Sequence, residues 1–293
     1  MRAGTLDDLQ VRIDKVLTLI STNLSEQLPL RRLASEASLS PFHFHRIWRA
    51  TTGEPIGETI RRLRLERSIH SLQTTSDSVT QIAFDSGFGS SQAFSRAFKQ
   101  ATGCAPSAYR AKAEPPALQG KKEPQHRLKA FDVEVVSLKP FLVISKRRNG
   151  AYDERRLAET FRIPWDWAIE SGHGERLRGI YGIPHDDPRS VTASQLRYDA
   201  CLDLGADIQP PPYLRRRTLG GGEFAKLRVI GSYEQLDDAY QYLLGSWLPG
   251  ADRQADDRPL FNHFLSDPDV TPEPDRVTDV YLPLKAEGPD HAE

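Results

Sequence analysis

The sequence predicts two units: an all-α N-terminal domain with two helix-turn-helix motifs, and an α+β C-terminal domain built from a duplicated strand-helix-strand-strand unit. Three observations carry this. "IAFDSGFGSSQAFSRAFKQATGCAP" (82–106) repeats the pattern of "LASEASLSPFHFHRIWRATTGEP" (33–55). Next, "AKAEPPALQGKKEPQHR" (111–127) is rich in Pro, Gly and charge and has no hydrophobic period, so it reads as a linker. Beyond it, alternating runs such as "FDVEVVSL", "RYDACLDL" and "TDVYLPL" read as strands. The expected boundaries are 6–111 for the helical domain, 112–127 for the linker, 128–285 for the α+β domain and 286–293 for a tail.

The helical elements follow in order. In the first copy Ser40 is the expected N-cap and Pro41 takes N1, where its missing N–H costs nothing. Phe44, Ile47, Trp48 and Thr51 then point inward, and Phe42, His45, Arg46 and Arg49 outward. Residues 55–73 read as a rigid connecting helix, about 28 Å long at 1.5 Å per residue. In the second copy Gly87 supplies a left-handed turn, Phe88 plugs the corner and Ser90 caps the next helix. That helix buries Phe94, Ala97, Phe98 and Ala101 and turns Gln92, Ser95, Arg96 and Lys99 outward.

The two outward sets are offset by fifty residues, so both helices present equivalent polar faces. Such a face suits the major groove of double-stranded DNA: Arg pairs with guanine, Gln with adenine, and an aromatic edge meets the thymine methyl. The connecting helix approaches one turn of B-DNA, about 34 Å, so one chain is expected to reach successive grooves. Arg61, Arg62, Arg64 and Arg67 on that helix read either as a solvated face or as phosphate contacts.

The second half repeats itself at one period. "GAYDE" (150–154) recurs as "GSYEQ" (231–235), "GIYGIPHDDP" (179–188) as "PLFNHFLSDP" (259–268), and "YDACLDL" (198–204) as "TDVYLPL" (278–284). Shifts of 81, 80 and 80 in the same order favour duplication, and two copies make a pseudo-symmetric pair sharing one core. Trp165, Trp167, Tyr181, Trp247 and Tyr281 are the aromatics available to line a cleft; Trp165, Tyr181, Asn262 and Tyr281 are the candidate ligand contacts.

Charge divides with the units. Residues 1–113 hold 15 Lys and Arg against 10 Asp and Glu, and the remainder holds 24 against 30. A basic half beside an acidic half suits a polyanion binder joined to something else. Cys104 and Cys201 match no metal or disulfide spacing, so a cytoplasmic protein without metal or cofactor is expected. No run is apolar enough to span a bilayer, and no membrane partner is expected. "TLGGGEF" (218–224) lacks the Lys-Ser/Thr of a phosphate loop and reads as a bulge or hairpin turn. His185, Asp186, Asp187 and Arg189 lie between prolines and read as solvated turn residues. No Ser–His–Asp or metal constellation stands out, so an enzyme is not expected.

The stretch 82–110, with its counterpart at 30–53, closely resembles the signature of AraC/XylS-type transcriptional regulators. That resemblance implies a seven-helix DNA-binding domain acting at promoters, often in contact with RNA polymerase. Its base-facing set falls on Phe42, His45 and Arg46 in one helix and on Ser91, Gln92 and Arg96 in the other. The second half resembles GyrI-like effector-binding domains through "YEQLDDAYQYLLGSWLPG", "RPLFNHFLSDP" and "TDVYLPL". It implies a ligand cleft at the pseudo-twofold, where a glutamate commonly pairs with cationic ligands. Here that position is Asn262, so a small neutral aromatic or amphipathic effector is expected. The alternative is a small-molecule hydrolase or scavenger activity in the C-terminal domain, which the loss of that glutamate weakens.

Overall fold

The computed structural model describes residues 4–111, 130–189, 191–251 and 253–286. The predicted linker lies outside the described residues, as does the predicted tail beyond Ala286. The chain divides into two compact units, Asp7–His126 and Arg127–Glu293 with Met1–Leu6, each described by itself.

Seven helices build the first unit among the described residues: α1 (Gly4–Thr22), α2 (Leu30–Glu36), α3 (Pro41–Thr52), α4 (Ile56–Thr74), α5 (Val79–Asp85), α6 (Ser91–Thr102) and α7 (Pro106–Arg110). The duplication holds down to single hydrogen bonds. After α2, Leu39 N–H donates to Ala34 O at 2.9 Å; after α5, Phe88 N–H donates to Ala83 O at 2.9 Å. The left-handed turn position is Ser38 in one copy (φ 54°) and Gly87 in the other (φ 88°). Beyond the turn the offset grows from 49 to 50, which places the extra residue at Gly89. Gly87 is irreplaceable by sterics, since a Cβ there would sit 1.9 Å from Leu24 O.

The caps repeat as well. Ser40 and Ser90 accept from the backbone N–H groups of His43 and Ala93. Gly53 and Gly103 close the two helices at φ 79° and 80°, donating to Arg49 O and Lys99 O. Leu65, Leu72, Ile82, Phe94, Phe98 and Tyr109 form one core around α6, each large apolar side chain contributing roughly 1.5–3 kcal/mol by burial. Trp48 Nε1 donates to Thr59 Oγ1 at 3.1 Å and ties α3 to α4.

Three inward or phosphate-facing assignments change. Thr51 is exposed and turns its hydroxyl back onto Ile47 O at 2.9 Å, because a polar β-branched side chain can satisfy itself on its own helix. Ala101, half-buried, keeps its expected place against the α6 core. Arg64 is half-buried and bound to backbone: it donates to Leu24 O and Glu26 O at 2.9 and 2.7 Å, and Arg62 pairs with Glu54 and Glu66.

The second unit contains β1 (Val133–Leu138), β2 (Phe141–Asn149), α8 (Glu154–Glu170), β3 (Gly179–Pro184), β4 (Arg197–Asp203), β5 (Arg215–Leu219), β6 (Gly222–Ile230), α9 (Gln235–Tyr242), β7 (Phe261–Phe264) and β8 (Val277–Pro283). The strands form one antiparallel sheet in the order β1-β6-β8-β7-β3-β4-β2-β5. That order is a mirror about the β7–β3 junction, which is therefore the pseudo-twofold. Register obeys it: Arg147 opposes Asp199 as Arg228 opposes Asp279. Gly150 (φ 124°) donates to Leu196 O, and Gly231 (φ 127°) to Arg276 O, both at 2.8 Å.

Each repeat carries one strand more than the sequence pattern predicts. β1 precedes the first copy yet pairs with β6 of the second; β5 precedes the second yet pairs with β2 of the first. The two halves thus exchange their leading strands, and the chain crosses at the "TLGGGEF" turn. The sheet curls enough for Phe141 on β2 to reach Phe261 on β7, 6.3 Å between ring centres.

Candidate nucleic-acid interface and effector groove

Helical period puts Gln92, Ser95, Arg96 and Lys99 on the side of α6 opposite Phe94, Ala97 and Phe98. Phe94, Ala97 and Phe98 are buried, whereas Gln92, Arg96 and Lys99 are exposed and Ser91 and Ser95 half-exposed. Among the described residues Gln92, Arg96 and Lys99 form no side-chain hydrogen bond or ion pair. Lys99 in the last turn also complements the helix dipole. This is an open, donor-rich ridge.

The equivalent ridge of α3 is not open. His45, Arg46 and Arg49 are 6%, 1% and 7% exposed, and the side chain of Phe42 lies outside the described residues. The solvent-facing placement expected for His45, Arg46 and Arg49 is therefore corrected. Periodicity reports which face of a helix is polar, not whether that face is covered.

In the second unit, strand alternation sorts the expected ligand contacts onto two faces of the sheet. Ile180 and Leu202 point toward α8 and pack around Ala168, so Gly182, Asn262 and Phe264 share that helix-covered face by register. Tyr181 and Tyr281 lie on the opposite face, in a cluster with Val143, Ile183, Phe224 and Phe261. There Phe261 stacks on Tyr281 (4.9 Å, 15°) and Tyr181 on His263 (4.4 Å, 19°). Burial pushes the Tyr181 phenol up to about 12 and the His263 imidazole down. Tyr181 and Tyr281 therefore do not share a cleft with Asn262, and the expected four-residue set is split.

The helix-covered face carries the candidate groove, at the pseudo-twofold. α8 lies on β2 and β4 and α9 on β6 and β8, leaving the β3–β7 pair between them. Its centre is the Gly182–Asn262 pair. Asn262 is buried; Tyr240 of α9 donates its hydroxyl to Oδ1 at 3.0 Å and accepts from Nδ2 at 2.7 Å. On the other side the Tyr198 hydroxyl fills the space a Cβ on residue 182 would need. Phe161 of α8 packs on Tyr198 and Phe264, Tyr152 on Tyr198, and Tyr233 on Phe264. Trp165, one turn beyond Phe161 and 37% exposed, stands at the rim. Burial raises the phenols of Tyr198 and Tyr233, which keeps this aromatic floor uncharged.

The loop His185–Arg189 is also corrected: it is paired rather than solvated. Asp187 is buried, Asp186 binds Arg197 at 2.8 Å, and His185 Nε2 lies 2.8 Å from Asp199 Oδ2. Sequence reading missed Tyr152, Phe161, Tyr198, Tyr233, Tyr240 and Phe264, and also the ion pairs on Asp199 and Asp279. The repeat offset held the signal, since it lays Arg147 on Arg228 and Asp199 on Asp279.

Two helix-turn-helix motifs in one unit and a pseudo-twofold α+β sheet in the other define the class of DNA-binding regulators that carry an effector-binding domain. Residues 131–285 match the GyrI-like small molecule binding domain, and residues 33–112 match a helix-turn-helix domain family. The chain belongs to the AraC-type helix-turn-helix regulators and, across more than half its length, to the GyrI-like family.

Relatives agree over the first unit. The HTH-type transcriptional activator AarP of Providencia stuartii is 38% identical over 98 residues, 33% of this chain and 73% of AarP. The right origin-binding protein of Escherichia coli K12 is 33% identical over 109 residues, 37% of this chain and 35% of that protein. An AraC-type regulator structure from Chromobacterium violaceum is 27% identical, covers 36% of this chain and 96% of its own, and has a TM-score of 0.34. The chain thus spans most of AarP but about a third of the right origin-binding protein. AarP is a transcription regulator by name, not an enzyme. Among the described residues no helix is long and apolar enough to cross a membrane.

Proposed function

We propose that this chain reads a specific double-stranded DNA site and that its second unit senses a small, uncharged aromatic or amphipathic molecule. The observation that carries the DNA reading is the open ridge of α6, Gln92, Ser95, Arg96 and Lys99, set opposite a buried apolar face. Its donors match base edges and phosphates by type and spacing. α3 joins in recognition only in a conformation that exposes Arg46 and His45. RNA polymerase is a further partner at promoters under the same reading.

The groove supports the choice of effector. Its floor is phenol, phenyl and amide, and Asn262 stands where a carboxylate would favour a cation. An uncharged ring gains burial there without leaving an ion unpaired. Any effector must bind the DNA-competent and DNA-incompetent states with different affinity, since equal binding shifts nothing.

The test is a thermal-shift series on the full chain with uncharged aromatic and cationic compounds, followed by DNA binding with each stabilising compound. A ligand that binds the folded state must raise its melting temperature by mass action. Stabilisation by cations alone overturns the effector class proposed here.

A further inference from the structure

The groove between α8 and α9 is bridged by contacts that cross from one repeat to the other. Arg276 ends the β7–β8 connection of the second repeat, yet its Nη1 donates to Glu154 in the first turn of α8 at 2.8 Å. The guanidinium lies 5.2 Å from the ring centre of Tyr233 and also donates to Thr271 O and Pro268 O at 3.3 Å. One half-buried side chain therefore holds its own loop, the approach to α9 and the start of α8. The counterpart bond runs the other way: Arg189, in the β3–β4 connection of the first repeat, meets Asp237 in the first turn of α9 at 3.0 Å.

These two bonds tie the first turns of α8 and α9 to connections of the opposite repeats. Phe161 and Phe264 close over the β3–β7 floor at 5.7 Å, and Tyr233 backs Phe264 at 5.4 Å. α8 and α9 rest mainly on strands of their own repeats, and Phe161 also packs across onto Phe264 of the second repeat. Val270, at the tip of the same connection, is 78% exposed and packs against little. Separating α8 from the second repeat thus requires breaking Arg276–Glu154 and parting Phe161 from Phe264. Gly231 N–H, donating to Arg276 O, and Leu265 N–H, donating to Val277 O, hold the ends of the connection to its own repeat.

We propose that the β7–β8 connection, residues 265–276, is a strap latched through Arg276 onto Glu154 of the opposite repeat, and that its release admits the effector to the α8–α9 groove. The inference rests on the groove being the effector site. The latch is an ion pair with Glu154 largely exposed, so added salt weakens it. An uncharged ligand has no charge of its own for salt to screen, and salt sensitivity of its entry reports the latch.

The experiment uses the full chain and N-phenyl-1-naphthylamine, an uncharged aromatic fluorophore, in stopped flow at low and high salt. Glu154→Gln removes the charge while leaving the other contacts of Arg276 in place; Arg276→Gln removes them all. The expected result is association and dissociation both at least fivefold faster in Glu154→Gln, with affinity moving less than threefold. Salt should accelerate entry in the unmodified chain and leave the variant unchanged. Binding with rates unchanged within twofold overturns the latch alone. Fluorophore binding to neither the unmodified chain nor either variant overturns the groove reading and the latch with it. Amide hydrogen exchange over residues 154–160 supplies a second readout: unchanged protection in both variants also overturns the latch.

Discussion

Arg147 and Asp199 are joined at both ends of the guanidinium, Nε to Oδ1 at 2.7 Å and Nη2 to Oδ2 at 2.9 Å. Arg228 and Asp279 repeat the two distances on the other half of the sheet. Duplication has thus conserved a bond as well as a fold. The halves then diverge around it: Asp199 gains Arg217 and His185, each at 2.8 Å, whereas Asp279 gains Lys226 at 3.6 Å.

Asp199 is fully buried, so its environment decides its charge. Burial alone would raise its carboxyl, but hydrogen bonds from His185 and Arg147 outweigh that and hold it well below the usual carboxylate range. A carboxyl depressed in the folded state stabilises the fold above its unfolded value, near 3.9, and that gain is lost as pH falls through the folded value. Asp199→Asn is expected to cost about 3 kcal/mol by urea unfolding at pH 7. The difference should persist to pH 5 and shrink only below about 4. A cost under about 1 kcal/mol at pH 7 contradicts the assignment.

Ser38 and Gly87 occupy the same left-handed turn position, at φ 54° and 88°. Only one of them is the residue that position favours. Ser38→Gly should stabilise the first unit by about 0.5–1 kcal/mol, the strain removed exceeding the entropy added to the unfolded chain. Gly87→Ala should destabilise it by more than about 2 kcal/mol, because its Cβ collides with Leu24 O. Thermal unfolding of both variants checks the pair, and equal effects would contradict the equivalence.

Arg96 and Lys99 should separate by role. Arg96→Ala is expected to relax base preference at one position by about 1–3 kcal/mol. Lys99→Ala should weaken all duplexes alike and lower the salt slope by about one unit. Fluorescence anisotropy over a salt series and a set of single-base variants distinguishes them.

Asn262→Glu places a carboxyl against Tyr240. Burial raises such a group, so its ionised form should gain affinity for tetraphenylphosphonium by roughly tenfold, more at higher pH. Calorimetry with that cation and with the uncharged fluorophore measures the switch. Unchanged selectivity would place the effector elsewhere.

Much of the architecture was legible in the sequence. Offsets of 49 and 50 in one half and 80 and 81 in the other exposed both duplications, because repeated folds repeat their caps and turns. The exchange of β1 and β5 was not legible: each pairs with a strand from the opposite copy, and "RRRTL" carries no alternation of its own. The split of the ligand set was legible but unread. Tyr181 aligns with Phe261, the neighbour of Asn262, and neighbours on a strand face opposite ways. The covering of Arg46 was beyond sequence, since polarity is local and burial is not.

The central claim is specific recognition of DNA by the α6 ridge, and selection of duplexes from a random pool by the full chain tests it most directly. The account predicts one enriched motif, bound about 10³-fold or more tighter than scrambled duplex at physiological salt, with enrichment abolished by Arg96→Ala combined with Gln92→Ala. Salt-sensitive binding with no enriched motif, or a motif indifferent to both substitutions, would contradict it.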